Sequence, residues 1–359
     1  MRKHAASSIL KMLIGSMLVI AFLFNWSGCF ASGDAPSNDE ELTLFVDREK
    51  ELKVLQFADL HFGEEGTAYH NADVERTLDF IDYAIKSENP DFIVLLGDNM
   101  MTQGVEGAEF IVEVFDKYAI PYTLVYGNHD ATSYLSCFTK RDVSNYLESC
   151  DSSYLLYKSG YVQADAENRY GNFSISVRDK STNDLIGAFM LLDTGTYDYD
   201  LEQYQSINEG QIAWYKEEIA RLNGIYRSQE TNALDTVPTI TYGHMQLPEY
   251  AEAFSKAKNN DGAEFVYYQE LSDRFLGAIG SASGVKNYGF YDAMRDMGSA
   301  KAYVCGHMHG LTCHVKMDDI ILGFCPQSGV GNTAKKTITT FSYTIDMNFD
   351  MRLNLVTEP

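Results

Sequence analysis

Leu52-Lys53-Val54-Leu55-Gln56-Phe57-Ala58-Asp59-Leu60-His61 passes from an apolar run straight into Asp-x-His. The run, Leu52 to Ala58, has the length and composition of a buried strand, and the polar cluster falls where that strand ends. The same arrangement recurs twice. Phe92 to Leu96 leads into Gly97-Asp98-Asn99, and Tyr122 to Tyr126 leads into Gly127-Asn128-His129-Asp130. Helical patterns, Asp73 to Lys86 and Gly107 to Tyr118, separate the three runs, so the first third reads as βαβαβ with parallel pairing. Ligands of open α/β sheets gather at the carboxyl ends of strands, and the three clusters are therefore expected to converge in one crevice.

Working outward, further apolar runs occur at Ile186 to Leu192, Thr239 to Tyr242 and Ala302 to Cys305. The last two end in Gly243-His244 and Gly306-His307-Met308-His309. Five of the eight histidines fall in these strand-end blocks, which points to a shared site. Leu311 to Lys316, Ile320 to Phe324, Thr337 to Asp346 and Met351 to Val356 read as antiparallel hairpins, and the whole as a mixed α/β sandwich. Pro248 to Tyr291 carries helical stretches without clear strand alternation and reads as an insertion near the mouth of the site.

In order, the blocks D-x-H, G-D, G-N-H-D, G-H and G-H-x-H resemble those of the calcineurin-like metallophosphoesterase superfamily. The resemblance extends from about Leu52 to the C-terminus. It is nearest to the purple-acid-phosphatase-like branch, through Leu191-Leu192-Asp193-Thr194-Gly195, Gln211-Ile212-Ala213-Trp214 and Leu247-Pro248-Glu249-Tyr250. It implies a four-layer α/β/β/α sandwich of two mixed β-sheets flanked by helices. It also implies a pair of metal ions about 3.5–4 Å apart that clamp substrate oxygens and lower the pKa of a bound water. By that pattern Asp59, His61 and His309 hold one ion, Asn128, His244 and His307 the other, and Asp98 bridges. Carboxylate, amide and imidazole ligands suit iron, zinc or manganese. A single intervening residue lets Asp59 and His61, or His307 and His309, project to one side of an extended segment.

The resemblance further implies in-line attack of metal-bound hydroxide on phosphorus. His129, outside the metal shell, would protonate the leaving alkoxide or stabilise charge, with Asp130 fixing its tautomer. Two positions depart from the pattern. Met101 stands where purple enzymes carry an iron-binding tyrosine, and His61 where they carry another residue, so no purple colour is expected. The fourth block usually runs His-x-Pro, whereas here it is His244-Met245-Gln246, with proline only at Pro248.

Taken singly, these blocks are weak signals: Asp-x-His is commonly a strand-end accident and Gly-Asp-Asn an ordinary turn. Their joint order, each after an expected strand, is what carries weight. His70 reads as solvated, His314 as a strand residue, and Tyr250 as packing. Asn172-Phe173-Ser174 has the form of a glycosylation sequon.

The formal net charge is −23. Such a surface repels a phosphate backbone, so no nucleic-acid partner is expected, while a small phosphorylated substrate remains compatible if bound cations dominate the local field. The expected function is hydrolysis of phosphomonoesters or small phosphodiesters, the alternative being a catalytically silent metal-binding or scaffold protein. Residues 1–28 read as an export signal: Arg2, Lys3 and His4, an apolar run from Met12 to Phe24, then Trp26-Ser27-Gly28-Cys29, which resembles a bacterial lipobox. Lipidation at Cys29, cleavage near Ala31 and an uncleaved anchor all place the chain outside the cytoplasm. Residues 29–41 read as a flexible tether and 42–359 as the catalytic domain. With Cys29 lipidated, Cys137, Cys150, Cys305, Cys313 and Cys325 are odd in number, and no disulfide is assigned. Oligomeric state is open.

Overall fold

The alternation of apolar runs and polar strand ends is realised as two mixed sheets lying face to face. The computed structural model describes residues 41–63, 73–101, 104–130, 139–162, 169–198, 202–229, 236–268, 279, 284, 286–330 and 337–359. The export signal, most of the tether, His70 and Cys137 lie outside these.

In chain order the elements begin β1 (Thr43–Val46), β2 (Leu52–Phe57), β3 (Phe62–Gly63), α1 (Val74–Glu88), β4 (Phe92–Leu96), β5 (Met100–Met101), α2 (Val105–Asp116) and β6 (Tyr122–Val125). Next come α3 (Lys140–Ser149), β7 (Phe173–Asp179), β8 (Leu185–Leu191), β9 (Tyr197–Asp198), β10 (Gln203–Tyr204), α4 (Glu209–Arg227) and β11 (Thr239–Tyr242). The remainder are α5 (Glu249–Asn259), β12 (Ala263–Tyr268), α6 (Phe290–Met297), β13 (Ala300–Cys305), β14 (Cys313–Met317), β15 (Ile320–Phe324), β16 (Thr339–Ile345) and β17 (Met351–Thr357).

One sheet runs β17-β16-β2-β4-β6, the other β1-β7-β8-β11-β13-β15-β14-β12. β2, β4 and β6 pair in parallel, and β4 is buried at every position. A parallel strand covered on both faces needs a continuous apolar run, which is what Phe92 to Leu96 supplies. Helix α1 begins where the Asp73 side chain accepts the Arg76 N–H and ends at Asn89 in the left-handed conformation. Its buried residues Thr77, Phe80, Ile81, Ala84 and Ile85 form one stripe at helical spacing, and Phe80 meets Phe57 of β2 edge to face.

Between the sheets, Phe92 of β4 stacks on Phe189 of β8 with ring centroids 5.4 Å apart and planes 3° from parallel. Phe189 also meets Tyr242 of β11 at 5.7 Å. A second core lies on the other side of the larger sheet, where Ile212 and Tyr215 of α4, Phe254 of α5 and Met294 of α6 bury against it. Helices, sheet, sheet and helices thus make the expected four layers.

β1 and β7 lie outside the expected strand runs, and two further regions differ from the sequence expectation. β12 lies inside the segment read as strand-free and pairs antiparallel with β14 at the sheet edge. Its inward residues Ala263, Phe265 and Tyr267 are half-buried, while Glu264, Val266 and Tyr268 face out. Because Val266 and Tyr268 put apolar groups on the outer face, no polar alternation marks the strand. Asn172, read as a glycosylation sequon, is fully buried, and its side-chain amide donates to the Tyr161 carbonyl at 2.9 Å, so the site is closed to a glycan. Cys150 and Cys305 carry free thiols. Tyr250 is packing, as expected, its hydroxyl donating to the Tyr303 carbonyl at 2.9 Å.

Because Phe189 packs on Phe92 of β4 and on Phe349 between β16 and β17, both of the facing sheet, and on Tyr242 of its own, Phe189→Ala is expected to lower the unfolding free energy by about 3–5 kcal/mol. Urea midpoints at unchanged slope measure this. A loss below about 1 kcal/mol would show that the two sheets hold together without this contact.

Candidate metal centre

Five strands, three of one sheet and two of the other, deliver their polar ends to one site. β2 is followed by Asp59 and His61, β4 by Asp98, β6 by Asn128 and His129, β11 by His244, and β13 by His307 and His309. The loops are laced together by their backbones. Asp59 N–H donates to the Gly97 carbonyl at 3.0 Å, His61 N–H to the Asp98 carbonyl at 2.9 Å, and Gly306 N–H to the His244 carbonyl at 3.0 Å.

Close approach accounts for two of the glycines. A Cβ on Gly127 would lie 2.2 Å from Asp98 Oδ1, and one on Gly97, at φ +84°, would lie 2.6 Å from His244 Nδ1. Asp59, His61, Asp98 and His307 have φ of 54°, 51°, 49° and 65°. Left-handed backbone at a residue with a side chain is strained and survives where the surroundings over-determine it. Here four of the seven expected ligands carry that strain.

The donor atoms fall into two groups that share one carboxylate. Asp59, His61, Asp98 and His309 form the first, Asp98, His244 and His307 the second, and within each group the ligand atoms lie within 4.8 Å of one another. Asn128 Oδ1 is 3.2 Å from His244 Nε2, which brings it to the second group. His61 Nε2 faces His309 Nε2 at 3.1 Å, His309 Nε2 lies 3.2 Å from Asp59 Oδ1, and His244 Nε2 lies 3.2 Å from Asp98 Oδ2. Ligands bound to one ion at about 2.1 Å are about 3.0–3.4 Å apart. Asp59 Oδ1 is buried without a hydrogen bond to protein. The donors therefore fit a dinuclear site.

Outer contacts orient the rings. His244 Nδ1 donates to the Leu96 carbonyl at 2.8 Å, which leaves Nε2 to face the cluster, the arrangement usual for a ligating histidine. His61 Nδ1 instead meets Met101 Sδ at 3.0 Å, so the residue in the purple-tyrosine position supports the His61 ring. Asp59 Oδ2 accepts the His307 N–H at 3.0 Å, and Asp98 Oδ1 accepts the His129 N–H at 2.8 Å.

With protons as the only cations, the cluster is strongly polarised. Burial works to raise the Asp98 carboxyl, yet the adjacent His244 imidazole holds it well below the usual range. Burial likewise opposes charge on His244, but Asp98 and then Asp59 outweigh it and push that ring up to about 9. Burial lowers His61 to about 4, and burial with the nearby His244 charge lowers His307 to about 3. The cluster thus disfavours charge on His61 and His307 and favours it on His244 beside Asp98 and, against its burial, on His309 beside Asp59.

His129 sits at the open side. Its side chain is 30% exposed and its Nε2 is 4.0 Å from Asp98 Oδ2. Asp130 lies elsewhere than beside that ring: its carboxylate is fully buried and accepts N–H bonds from Gly127 at 2.8 Å and Met100 at 2.9 Å. Asn99 donates to it as well, through N–H and Nδ2 at 3.3 Å each. The expected tautomer brace is therefore a brace of the two ligand-bearing loops. Its carboxyl is pushed up to about 6, by burial first and the Asp98 charge second.

Several supporting residues carry no motif of their own. Thr196 donates its hydroxyl to the Asn128 carbonyl at 3.2 Å, and the Tyr204 ring packs edge to face on His307 at 4.8 Å. Behind them a buried ion pair joins Lys140 to Asp193 at 2.7 Å. Gln211 Nε2 reaches the Asp193 carbonyl and Asn172 Oδ1, both at 2.7 Å, so the separated Asp193 and Gln211 segments are one network. Arg169 Nη1 joins it by donating to the Asp193 carbonyl at 3.0 Å, and neither Lys140 nor Arg169 could be found from spacing, since their partners are over twenty residues away.

Comparison with known proteins agrees with this geometry. The model of the calcineurin-like phosphoesterase family matches residues 52–311. A protein of Arabidopsis thaliana named probable inactive purple acid phosphatase 29 is 25% identical over 303 residues, 78% of this chain and 72% of that one. Probable inactive purple acid phosphatase 14 of the same plant is 25% identical over 279 residues, 72% of this chain and 65% of that one. Among solved structures, a dimetal phosphatase from Danio rerio shares the fold with a TM-score of 0.52 at 12% identity, over 86% of this chain and 98% of that one. The chain belongs to the calcineurin-like phosphoesterase family.

Proposed function

We propose that this protein hydrolyses phosphoesters of small molecules at two metal ions, one held by Asp59, His61 and His309, the other by Asn128, His244 and His307, with Asp98 between them. The observation that carries this reading is the membership of Asp98 in both groups of ligand atoms, which turns one carboxylate toward two cation positions. Two such ions lower the pKa of a water and polarise the phosphoryl oxygens. Oxygen and imidazole donors favour iron, zinc or manganese.

The chain's own residues supply the rest. His129, at the open side, is placed to protonate a leaving alkoxide or to stabilise charge on the phosphoryl group. Asp130 and Thr196 hold the loops that carry Asn128 and Asp98. The net charge of −23 disfavours polynucleotide substrates. The Arabidopsis relatives bear names that call them probable inactive. Loss of ligands is the expected mark of a silent member, and all seven ligand positions and His129 are filled here. In the cell we place the protein outside the cytoplasm, tethered through Cys29.

His129→Ala is expected to reduce kcat by about 100-fold at unchanged metal content. Assays on p-nitrophenyl phosphate, its bis ester and glycerol phosphate test this. A larger loss on the alkyl ester than on the aryl esters identifies His129 as the acid, and an equal loss identifies it as a charge stabiliser. Metal-loaded wild type that turns over none of them, or a variant that matches wild type, would falsify the mechanism. Stoichiometric metal without turnover would favour the silent alternative.

Protons and metal ions compete for the same donors, which fixes a pH dependence. His244 rises from the ordinary 6.5 to about 9, so its contribution to stability is full below 6.5 and is lost as pH climbs through 9. His61 and His307 are lowered to about 4 and about 3, so folding gains as pH rises toward 6.5. Chelator-treated protein is expected to be most stable near pH 6.5 and to weaken toward pH 9, whereas manganese or zinc replaces the His244 proton and removes the alkaline decline. Tm against pH, with and without metal, measures this. Parallel profiles in the two conditions would rule it out.

A further inference from the structure

On the Nδ1 side of His61 stands Met101, and the local fold is built to bring it there. The segments that carry Asp59 and Asp98 continue as β3 and β5, which pair in parallel with Phe62 opposite Met100 and Gly63 opposite Met101. A Cβ on Gly63 would lie 2.6 Å from Met101 Cβ. Because Gly63 has no side chain, Met101 occupies that space and turns onto His61, two residues earlier. From the other side β5 is held by Asp130, which accepts the Met100 N–H at 2.9 Å. Met101 Sδ reaches His61 Nδ1 at 3.0 Å, and the pair is buried, Met101 at 3% exposure and His61 at 0%.

The contact has a chemical direction. A thioether carries lone pairs and no proton, so it can only accept. It therefore places the proton of a neutral His61 ring on Nδ1 and leaves the Nε2 lone pair toward the cluster, where that atom is 3.1 Å from His309 Nε2. His244 reaches the same tautomer through the Leu96 carbonyl at 2.8 Å. The two acceptors differ in strength, since a carbonyl oxygen accepts fully and a thioether sulfur weakly. The partner behind a ligating imidazole fixes its tautomer and raises the basicity of the nitrogen that meets the cation. His61 is thus set in the ligating tautomer with less support than His244.

We propose that Met101 is a positioning residue for one of the two cation positions: its sulfur selects the Nδ1–H tautomer of His61 and so strengthens the ion held with Asp59 and His309, without touching that ion. The proposal rests on the dinuclear reading of the site and adds the residue that tunes half of it. Titration of the metal-free full-length chain with manganese, the free ion being counted by its electron paramagnetic resonance signal, tests it. Asn128→Ala removes a donor of the other position and marks the binding step that belongs there. Met101→Leu keeps an apolar side chain of similar size and loses the acceptor. It is expected to weaken the remaining step about tenfold and to leave the step marked by Asn128→Ala within about twofold of wild type. Met101→Gln offers an amide oxygen at similar reach and is expected to bind that ion at least as tightly as wild type does.

A Met101→Leu variant that binds both ions as wild type does, or weakens both alike, overturns the role of Met101 and leaves the dinuclear reading standing. So does a Met101→Gln variant as weak as Met101→Leu, because the loss would then follow from packing and not from the acceptor. Where Met101→Leu fails to fold, Met101→Gln decides alone, and affinity for that ion below wild type overturns the role. Wild type that binds fewer than two manganese ions overturns both.

Discussion

Two carboxylates, Asp59 and Asp98, are buried at the junction of the two sheets, and the arrangement around them answers the cost of their charge. Isolated, an ionised carboxylate in such a place would be prohibitively unfavourable. Here His61, His244 and His309 each bring a ring nitrogen within 4 Å of one or both, while backbone N–H groups of His129 and His307 cap the remaining oxygens. The strained backbone falls at Asp59, His61, Asp98 and His307, residues of this same cluster.

A second tier keeps this arrangement in place. Asp130 ties the loop after β4 to the loop after β6 by gathering N–H groups from both. The Lys140–Asp193 pair, with Asn172, Arg169 and Gln211, anchors the segment after β8, from which Thr196 reaches Asn128. Removing one member of a buried pair leaves the other charged and unpaired, so this tier is rigid for the same reason the site is. The ligands therefore stand on loops whose positions are fixed by side chains that never touch a metal.

Much of the fold was legible because β2, β4, β6, β8, β11 and β13 are buried on both faces and their apolar runs end at the same kind of residue. β12 escaped notice because an edge strand with Val266 and Tyr268 facing outward shows neither a continuous run nor clean alternation. Of the site, the five strand-end blocks were visible because metal ligation restricts residue type and short-range spacing together. Thr196, Tyr204, Lys140 and Arg169 were not, since a hydroxyl, an aromatic ring or a cation is an ordinary residue until its partner is known.

The sequence by itself determined which side chains are offered to cations and on which strand ends, because those choices depend on local chemistry: a carboxylate or imidazole directly after a buried run. Only the tertiary structure decided that Asp98 is shared between two groups, that Met101 supports His61, and that Asp130 braces loops rather than the His129 ring. Each of these is a contact between residues separated by many positions in the chain, and its geometry is set by how the two sheets meet. No spacing along the chain encodes that meeting.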